Sequence, residues 1–84
     1  MDAREYRKFV ETSGQQSLET IKGKLKLGWY DHMTLEVAKS LAYEDFIHSP
    51  LYRKLGPTYY KTAKRDLENY IEENYTDTLL EGLL

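Results

Sequence analysis

Residues 35–48, LEVAKSLAYEDFIH, carry the clearest helical pattern in this 84-residue sequence. Apolar side chains recur there at intervals of three and four residues, which places them on one face of an α-helix. This apolar stripe consists of Leu35, Ala38, Leu41, Ala42, Phe46 and Ile47. Thr34 is a suitable N-cap, with Asp31 as the alternative for a helix that begins earlier. Ser49-Pro50 ends the helix, because a proline disfavours helical backbone at the residue before it.

The first segment of the chain, residues 2–12, also has helical spacing. Its apolar side chains fall on one face, and charged side chains occupy the other positions. Asp2 is a candidate N-cap, and a Ser13-Gly14 sequence is typical of a helix end. We therefore predict a short first helix that stops at Ser13-Gly14.

The next segment, residues 17–27, fits two structures. Ser17 is a plausible N-cap, and Gly28 stands where a C-terminal glycine ends a helix. Within residues 20–27, however, apolar side chains also alternate with lysines, as in a β-strand. The alternating residues are Ile21, Leu25 and Leu27 with Lys22, Lys24 and Lys26. Since no partner strand appears elsewhere in the sequence, we predict a helix here and keep the strand as the alternative.

The C-terminal half predicts one short helix and one long one. Residues 49–57, SPLYRKLGP, indicate one or two helical turns closed by Gly56. Thr58 is a candidate N-cap for a helix over roughly residues 59–75. Its inner stripe is Tyr60, Ala63, Leu67, Tyr70, Ile71 and Asn74. The tail, residues 76–84, predicts a separate short helix that begins at Thr76 or Asp77 and either docks or frays.

These segments predict one small all-α domain over residues 1–84, with three to four main helices and short turns. Apolar residues make up 40% of the chain and charged residues 31%, which is typical of a globular protein rather than a disordered one. The sequence contains no cysteine, which excludes disulfides and thiolate metal sites.

Catalytic constellations are not evident in the sequence. His32 and His48 stand at the two ends of the central helix, too far apart to share a metal ion or a proton. Adjacent carboxylates such as Glu44-Asp45 and Glu72-Glu73 point about 100° apart on a helix, so neither pair converges on a substrate. No phosphate-loop, dinucleotide or zinc-protease motif occurs. We therefore expect a protein that is not an enzyme and that has no cofactor and no metal site.

Charge is unevenly distributed along the second half of the chain. Residues 50–65 contain five bases and no acid, whereas residues 66–84 contain six acids and no base. Tyrosines interleave with the bases, which is typical of a surface that binds nucleic acid or a phosphorylated ligand. The candidate residues are Arg53, Lys54, Tyr60, Lys61, Lys64 and Arg65. The alternative is a solvated basic face whose charges pair with acids of the same domain.

Aromatic and leucine residues provide a second candidate surface. A domain of this size cannot bury all eight of its tyrosines, so some are expected at an interface. The candidates for a protein interface are Trp29, Tyr30, Tyr52, Tyr59, Leu80 and Leu84. Alternatively, the connector aromatics fold back onto the core and the terminal leucines complete it.

From these features we expect a small binding or regulatory protein that docks on a protein partner or associates with itself. Nucleic acid or a phosphorylated ligand is the alternative partner, and a membrane is not expected, because the net charge is only −2. The absence of cysteine and of a signal peptide favours the cytoplasm. Small size and lack of motifs are typical of phage- or plasmid-encoded accessory proteins, an analogy at the level of general character.

Overall fold

The computed structural model describes residues 1–83, with Tyr30 and Leu83 described by their backbone alone. Three α-helices form the described part of the chain: α1 is Ala3–Lys26, α2 is Leu35–Ile47 and α3 is Pro57–Leu83. Short 3₁₀ turns, Tyr30–His32 and Pro50–Lys54, connect them. The predicted all-α fold is confirmed, and no strand occurs among residues 1–83.

The two long helices, α1 and α3, run side by side in the same direction. Near their beginnings the Tyr6 hydroxyl donates a hydrogen bond to Asp66, and near their ends Lys22 forms an ion pair with Glu81. Residue numbers therefore increase together along both helices. The bundle extends 39 Å along this direction and 19 by 18 Å across it.

The shorter helix α2 packs against both long helices and runs opposite to them. The Phe46 ring near its end stacks on Phe9 near the beginning of α1, with centroids 4.6 Å apart. At its other end, the Tyr75 hydroxyl of α3 donates a 2.6 Å hydrogen bond to the Met33 carbonyl oxygen. The fold is thus an up-down-up arrangement of three helices. Its fully buried side chains include Phe46, Ile21, Leu25, Leu67 and Ile71.

Helix α2 ends where its sequence predicts. The Thr34 hydroxyl accepts a 3.2 Å hydrogen bond from the Val37 amide, so Thr34 rather than Asp31 is the N-cap. Ala38, Ala42 and Phe46 are buried, which confirms the core face of the predicted stripe. Ser49 and Pro50 lead directly into the second 3₁₀ turn, which corresponds to the predicted short helical segment.

The predicted break at Ser13-Gly14 is wrong, because α1 continues through both residues to Lys26. Gly14 does not have the left-handed backbone of a helix-ending glycine. It lies instead against the Tyr70 ring, and a Cβ on Gly14 would come within 2.6 Å of Tyr70 Cε1. The glycine therefore permits α1 and α3 to approach closely without interrupting α1.

The C-terminal part of α1 is helical, which confirms the predicted helix and rules out the alternative strand. Ile21 and Leu25, one turn apart, are almost fully buried. Leu27, which a strand would place with them, is 80% exposed. Gly28 then ends the helix with a φ of 96°, and the amides of Gly28 and Trp29 donate to the carbonyls of Leu25 and Lys24. This is a Schellman motif, in which the left-handed glycine satisfies the last carbonyls.

Helix α3 is longer at both ends than predicted. It begins at Pro57, and the Gly56 carbonyl accepts hydrogen bonds from the amides of Tyr59 and Tyr60, so Thr58 is not the N-cap. It also continues through residues 76–77, where a separate tail helix was predicted. Thr78 is buried there, with its hydroxyl donating 2.8 Å to the Asn74 carbonyl. The tail is therefore helical because it remains packed on α1.

Candidate functional site

A row of aromatic rings leads from the core to the surface beside the start of α3. The Phe46 ring, already stacked on Phe9, lies 5.6 Å from the Tyr52 ring, which in turn lies 5.4 Å from Tyr60. The Tyr60 side chain is 45% exposed, so its prediction as part of the inner stripe is wrong. Tyr52 of the 3₁₀ turn lies between Tyr60 and the core, and Tyr60 is held with one side in solvent.

Tyr52, in the middle of this row, contacts Phe46 of α2 and Tyr60 of α3. A side-chain hydrogen bond with Tyr43 is the main cause that raises the pKa of Tyr52 above its ordinary value, and burial adds to it. The Lys64 ammonium lies 5.3 Å from the centre of the Tyr43 ring, a cation–π contact, and 4.0 Å from Glu68. The ring contacts of Tyr52 hold the second 3₁₀ turn against α2 and α3.

The structure places five of the six candidate anion-binding residues on two adjoining segments, the second 3₁₀ turn and the first two turns of α3. We call this surface the Tyr60 patch; it consists of Arg53, Lys54, Tyr60, Lys61 and Lys64. The first two lie in the 3₁₀ turn, and contact between Tyr52 and Tyr60 holds that turn against the first turn of α3. Arg65 lies about 140° around α3 from Tyr60 and belongs to a neighbouring face.

Two of the bases in this region have a carboxylate partner, and three do not within residues 1–83. Lys64 contacts Glu68, and Arg65 lies 3.6 Å from Asp66. Within residues 1–83, no carboxylate lies within 4.0 Å of Arg53, Lys54 or Lys61. Three cations of the Tyr60 patch are thus exposed without an acidic partner in the described part of the chain.

At the opposite end of the bundle, apolar side chains are exposed after α1. We call this surface the connector patch; it consists of Leu27 and Trp29 with the flanking Lys24 and Lys26. Leu27 is 80% exposed and Trp29 is 48% exposed, so the expectation that Trp29 folds back onto the core is wrong. The Lys24 ammonium lies 5.0 Å from the centre of the Trp29 ring.

Leu27 was not among the predicted interface residues. The strand-like alternation of residues 20–27 assigned it to the same face as Ile21 and Leu25. Helical spacing, which places Leu27 about 200° around the axis from Leu25, is the signal that separates it from them.

The other predicted interface residues are dispersed. Tyr59 is half-buried and stacks on Tyr6, with centroids 4.2 Å apart, and Tyr52 belongs to the aromatic row. Leu80 is 58% exposed on α3. The side chain of Tyr30 and the whole of Leu84 lie outside the described residues.

One partly buried polar contact between α1 and α3 has no signal in the sequence pattern. The Tyr6 hydroxyl donates a 2.5 Å hydrogen bond to Asp66 Oδ2 and lies 3.5 Å from the Thr62 hydroxyl. Burial, followed by the hydrogen bond to Asp66, raises the pKa of Tyr6 to about 12. These residues are separated by about sixty positions in sequence, so only the fold brings them together.

The same contact borders an open groove of about 370 Å³ between α1 and α3. Charged side chains of both signs line this groove together with the Tyr70 ring; the charged residues are Arg7, Glu11, Asp66 and Glu73.

His32 and His48 flank α2 at its opposite ends and are both exposed. Among residues 1–83, no three metal-ligating side chains cluster.

None of the helices in the described part of the chain combines the length and apolar composition needed to cross a membrane. Comparison with known proteins finds no family model that matches the chain, no matching curated protein and no matching solved structure.

Proposed function

We propose that this chain is a small non-enzymatic binding protein that docks through its connector patch on a protein partner. The partner surface is one with an apolar pocket surrounded by carboxylates. The observation that carries this proposal is the exposure of Leu27 and Trp29, two positions apart in the sequence, at one end of the bundle.

The apolar content of the connector patch supports a protein contact. Tryptophan is among the residues that contribute most to protein interfaces, because its large ring is desolvated while its N–H can still find an acceptor. Leu27 is the most exposed large apolar side chain in the described part of the chain. The Schellman motif at Gly28 fixes the backbone between the two side chains, so little conformational freedom is lost on binding.

The charges around the patch favour an acidic rim on the partner. Lys24 lies against the Trp29 ring, and Lys26 is exposed next to Leu27. In the part of the chain that the structure describes, neither lysine has a carboxylate within 4.0 Å. Carboxylates on a partner would pair with both lysines, and such pairs set orientation and association rate more than affinity.

The proposal is tested by affinity capture from cells that express the protein, followed by calorimetry with the purified captured partner. Wild-type protein is compared with Trp29→Ala and Leu27→Asp. Leu51→Asp is the matched control, since Leu51 is also exposed but lies in the second 3₁₀ turn. Loss of a central aromatic residue is expected to weaken binding by at least about thirtyfold.

Direct binding that both connector variants lose and Leu51→Asp keeps would support the proposal, as would further weakening at high salt. Binding that is unchanged in Trp29→Ala and Leu27→Asp would overturn it. Light scattering of the purified protein measures its oligomeric state and so tests whether the partner is a second copy of this chain. A dimer that Trp29→Ala converts to monomer would replace the separate partner with self-association.

A further inference from the structure

We infer that the Tyr60 patch is a binding surface for single-stranded nucleic acid, with a base stacked on Tyr60 and phosphates on Arg53, Lys54 and Lys61. This surface lies at the end of the bundle opposite the connector patch. The inference therefore goes beyond the proposed docking function and does not depend on it.

The aromatic part of the patch has the properties of a stacking platform. Tyr60 keeps nearly half of its surface in solvent, although apolar burial would favour covering it. Its contact with Tyr52 holds the ring in place, and Tyr52 is itself in contact with Phe46. A ring that is already ordered loses little rotamer freedom when a base stacks on it.

Three cations of the patch lie on two adjoining elements and have no internal ion pairs in the described part of the chain. Lys61 follows Tyr60 directly on α3, while Arg53 and Lys54 follow Tyr52 in the adjoining turn. The three cations therefore come from two adjoining structural elements rather than from one helix face. Because these three bases have no carboxylate within 4.0 Å among the described residues, they can pair with phosphates without breaking internal ion pairs.

The combination favours single strands over duplex. A stacking contact needs an unpaired base, and every base has a face that can stack, so little sequence preference is expected. A net charge of −2 gives no general attraction to polyanions, which makes binding dependent on this local cluster.

The test is fluorescence anisotropy with a labelled oligothymidylate of roughly 15 nucleotides, the upper range for one binding module. Tyr60→Ala is expected to weaken binding about tenfold, whereas Tyr60→Phe retains it, because stacking requires the ring and not the hydroxyl. The double variant Arg53→Gln/Lys61→Gln removes two phosphate contacts. It should lower the dependence of log Kd on log salt by about 1.4 between about 50 and about 200 mM.

A charge-matched control is the double variant Arg4→Gln/Lys8→Gln, which neutralises one arginine and one lysine that are exposed on α1. Its affinity and salt dependence should equal those of the wild type. Circular dichroism of each variant verifies that the helical fold is retained, and Tyr60→Phe tests stacking without any loss of volume.

The inference is overturned if Tyr60→Ala and Arg53→Gln/Lys61→Gln bind as tightly as the wild type, or if the control pair weakens binding equally. It is also overturned if polyglutamate of equal charge displaces the oligonucleotide as well as unlabelled oligothymidylate does. That result would assign the Tyr60 patch to an acidic protein surface instead.

Discussion

The two long parallel helices differ in how their ends are stabilised. Helix α1 follows the local rules: Asp2 caps it with a 2.8 Å hydrogen bond from the Glu5 amide, an acid occupies its first turn, and lysines occupy its last. Helix α3 has no acid in its first turn and no base in its last. The limits of α1 are therefore encoded in its own residues, whereas α3 depends on the surface that it packs against.

This contrast bears on the bases near the start of α3. Helix dipoles favour acids at the N-terminal end, so the distribution of charge along α3 costs local stability. Phosphate binding by the Tyr60 patch, as inferred above, would account for bases at this end of the helix.

Widening the contact between the two helices should have the largest effect. Gly14→Ala inserts a methyl group against the Tyr70 ring, and overpacking of this kind costs about 2 kcal/mol of unfolding free energy. Urea unfolding of wild type and variant measures this. In a Tyr70→Ala background the cost of Gly14→Ala should be smaller, because the opposing ring is gone. An equal cost in both backgrounds would contradict the close approach of α1 and α3.

Removing the polar contact between the same helices should cost somewhat less. Tyr6→Phe keeps the stacking on Tyr59 but leaves half-buried Asp66 without this donor, for a loss of about 1.5 kcal/mol. The folded-state pKa of Tyr6 is raised to about 12 from an ordinary 10.0. The contribution of its protonated hydroxyl is thus complete below pH 10 and is lost as the pH rises to about 12.

The pH profile supplies the check on this prediction. The difference in stability between wild type and Tyr6→Phe should be constant near neutral pH and should shrink between pH 10 and about 12. A difference that stays constant across that range would show that the hydroxyl contributes nothing through Asp66.

A substitution within α1 alone should stabilise the protein, in contrast to the two destabilising substitutions at the α1–α3 contact. Gly23 is exposed within α1, and a Cβ there would meet no atom within 4 Å. Gly23→Ala should therefore raise the free energy of unfolding by about 0.8 kcal/mol, because alanine restricts the unfolded chain more than glycine does. Thermal unfolding would detect this. A destabilising effect would show that the glycine has a role that its surroundings do not reveal.

The smallest effect is expected from a substitution that gives α3 an aspartate N-cap, as Asp2 provides for α1. Gly56 precedes Pro57 and has open space for a side chain, so Gly56→Asp should add a few tenths of a kcal/mol through capping. The same carboxylate lies close to the Tyr60 patch and should weaken oligothymidylate binding. Gly56→Asn, which caps without charge, separates the two effects. A gain in both stability and binding for Gly56→Asp would contradict our interpretation of the charges.

Local signals in the sequence were sufficient for α2 and for the end of α1. Thr34, Ser49-Pro50 and Gly28 act within one turn of their own position, so reading them in order gives the observed boundaries. The same kind of signal failed at Ser13-Gly14 and at Thr76. In both places the apolar stripe stays in phase across the apparent break, and that continuity is the better evidence for one long helix.

The candidate surfaces were harder to predict, because exposure depends on which helices meet. Tyr60 shares a helical face with buried residues, yet Tyr52 from the preceding turn occupies the space between it and the core. Leu27 follows the pattern of Ile21 and Leu25 only in a strand, whereas helical spacing places it about 200° around the axis from Leu25. The exposure of Tyr60 does not follow from periodicity, since it is set by a residue of the preceding turn.

The parallel arrangement of α1 and α3 also determines how the chain can fold. Parallel neighbours cannot be joined by a short hairpin loop, so the contacts that unite them span most of the sequence, as the sixty-residue separation of Tyr6 and Asp66 shows. Closing so long a loop costs entropy before any contact repays it. We therefore expect the antiparallel pairs of consecutive helices, α1–α2 and α2–α3, to form before the contacts between α1 and α3.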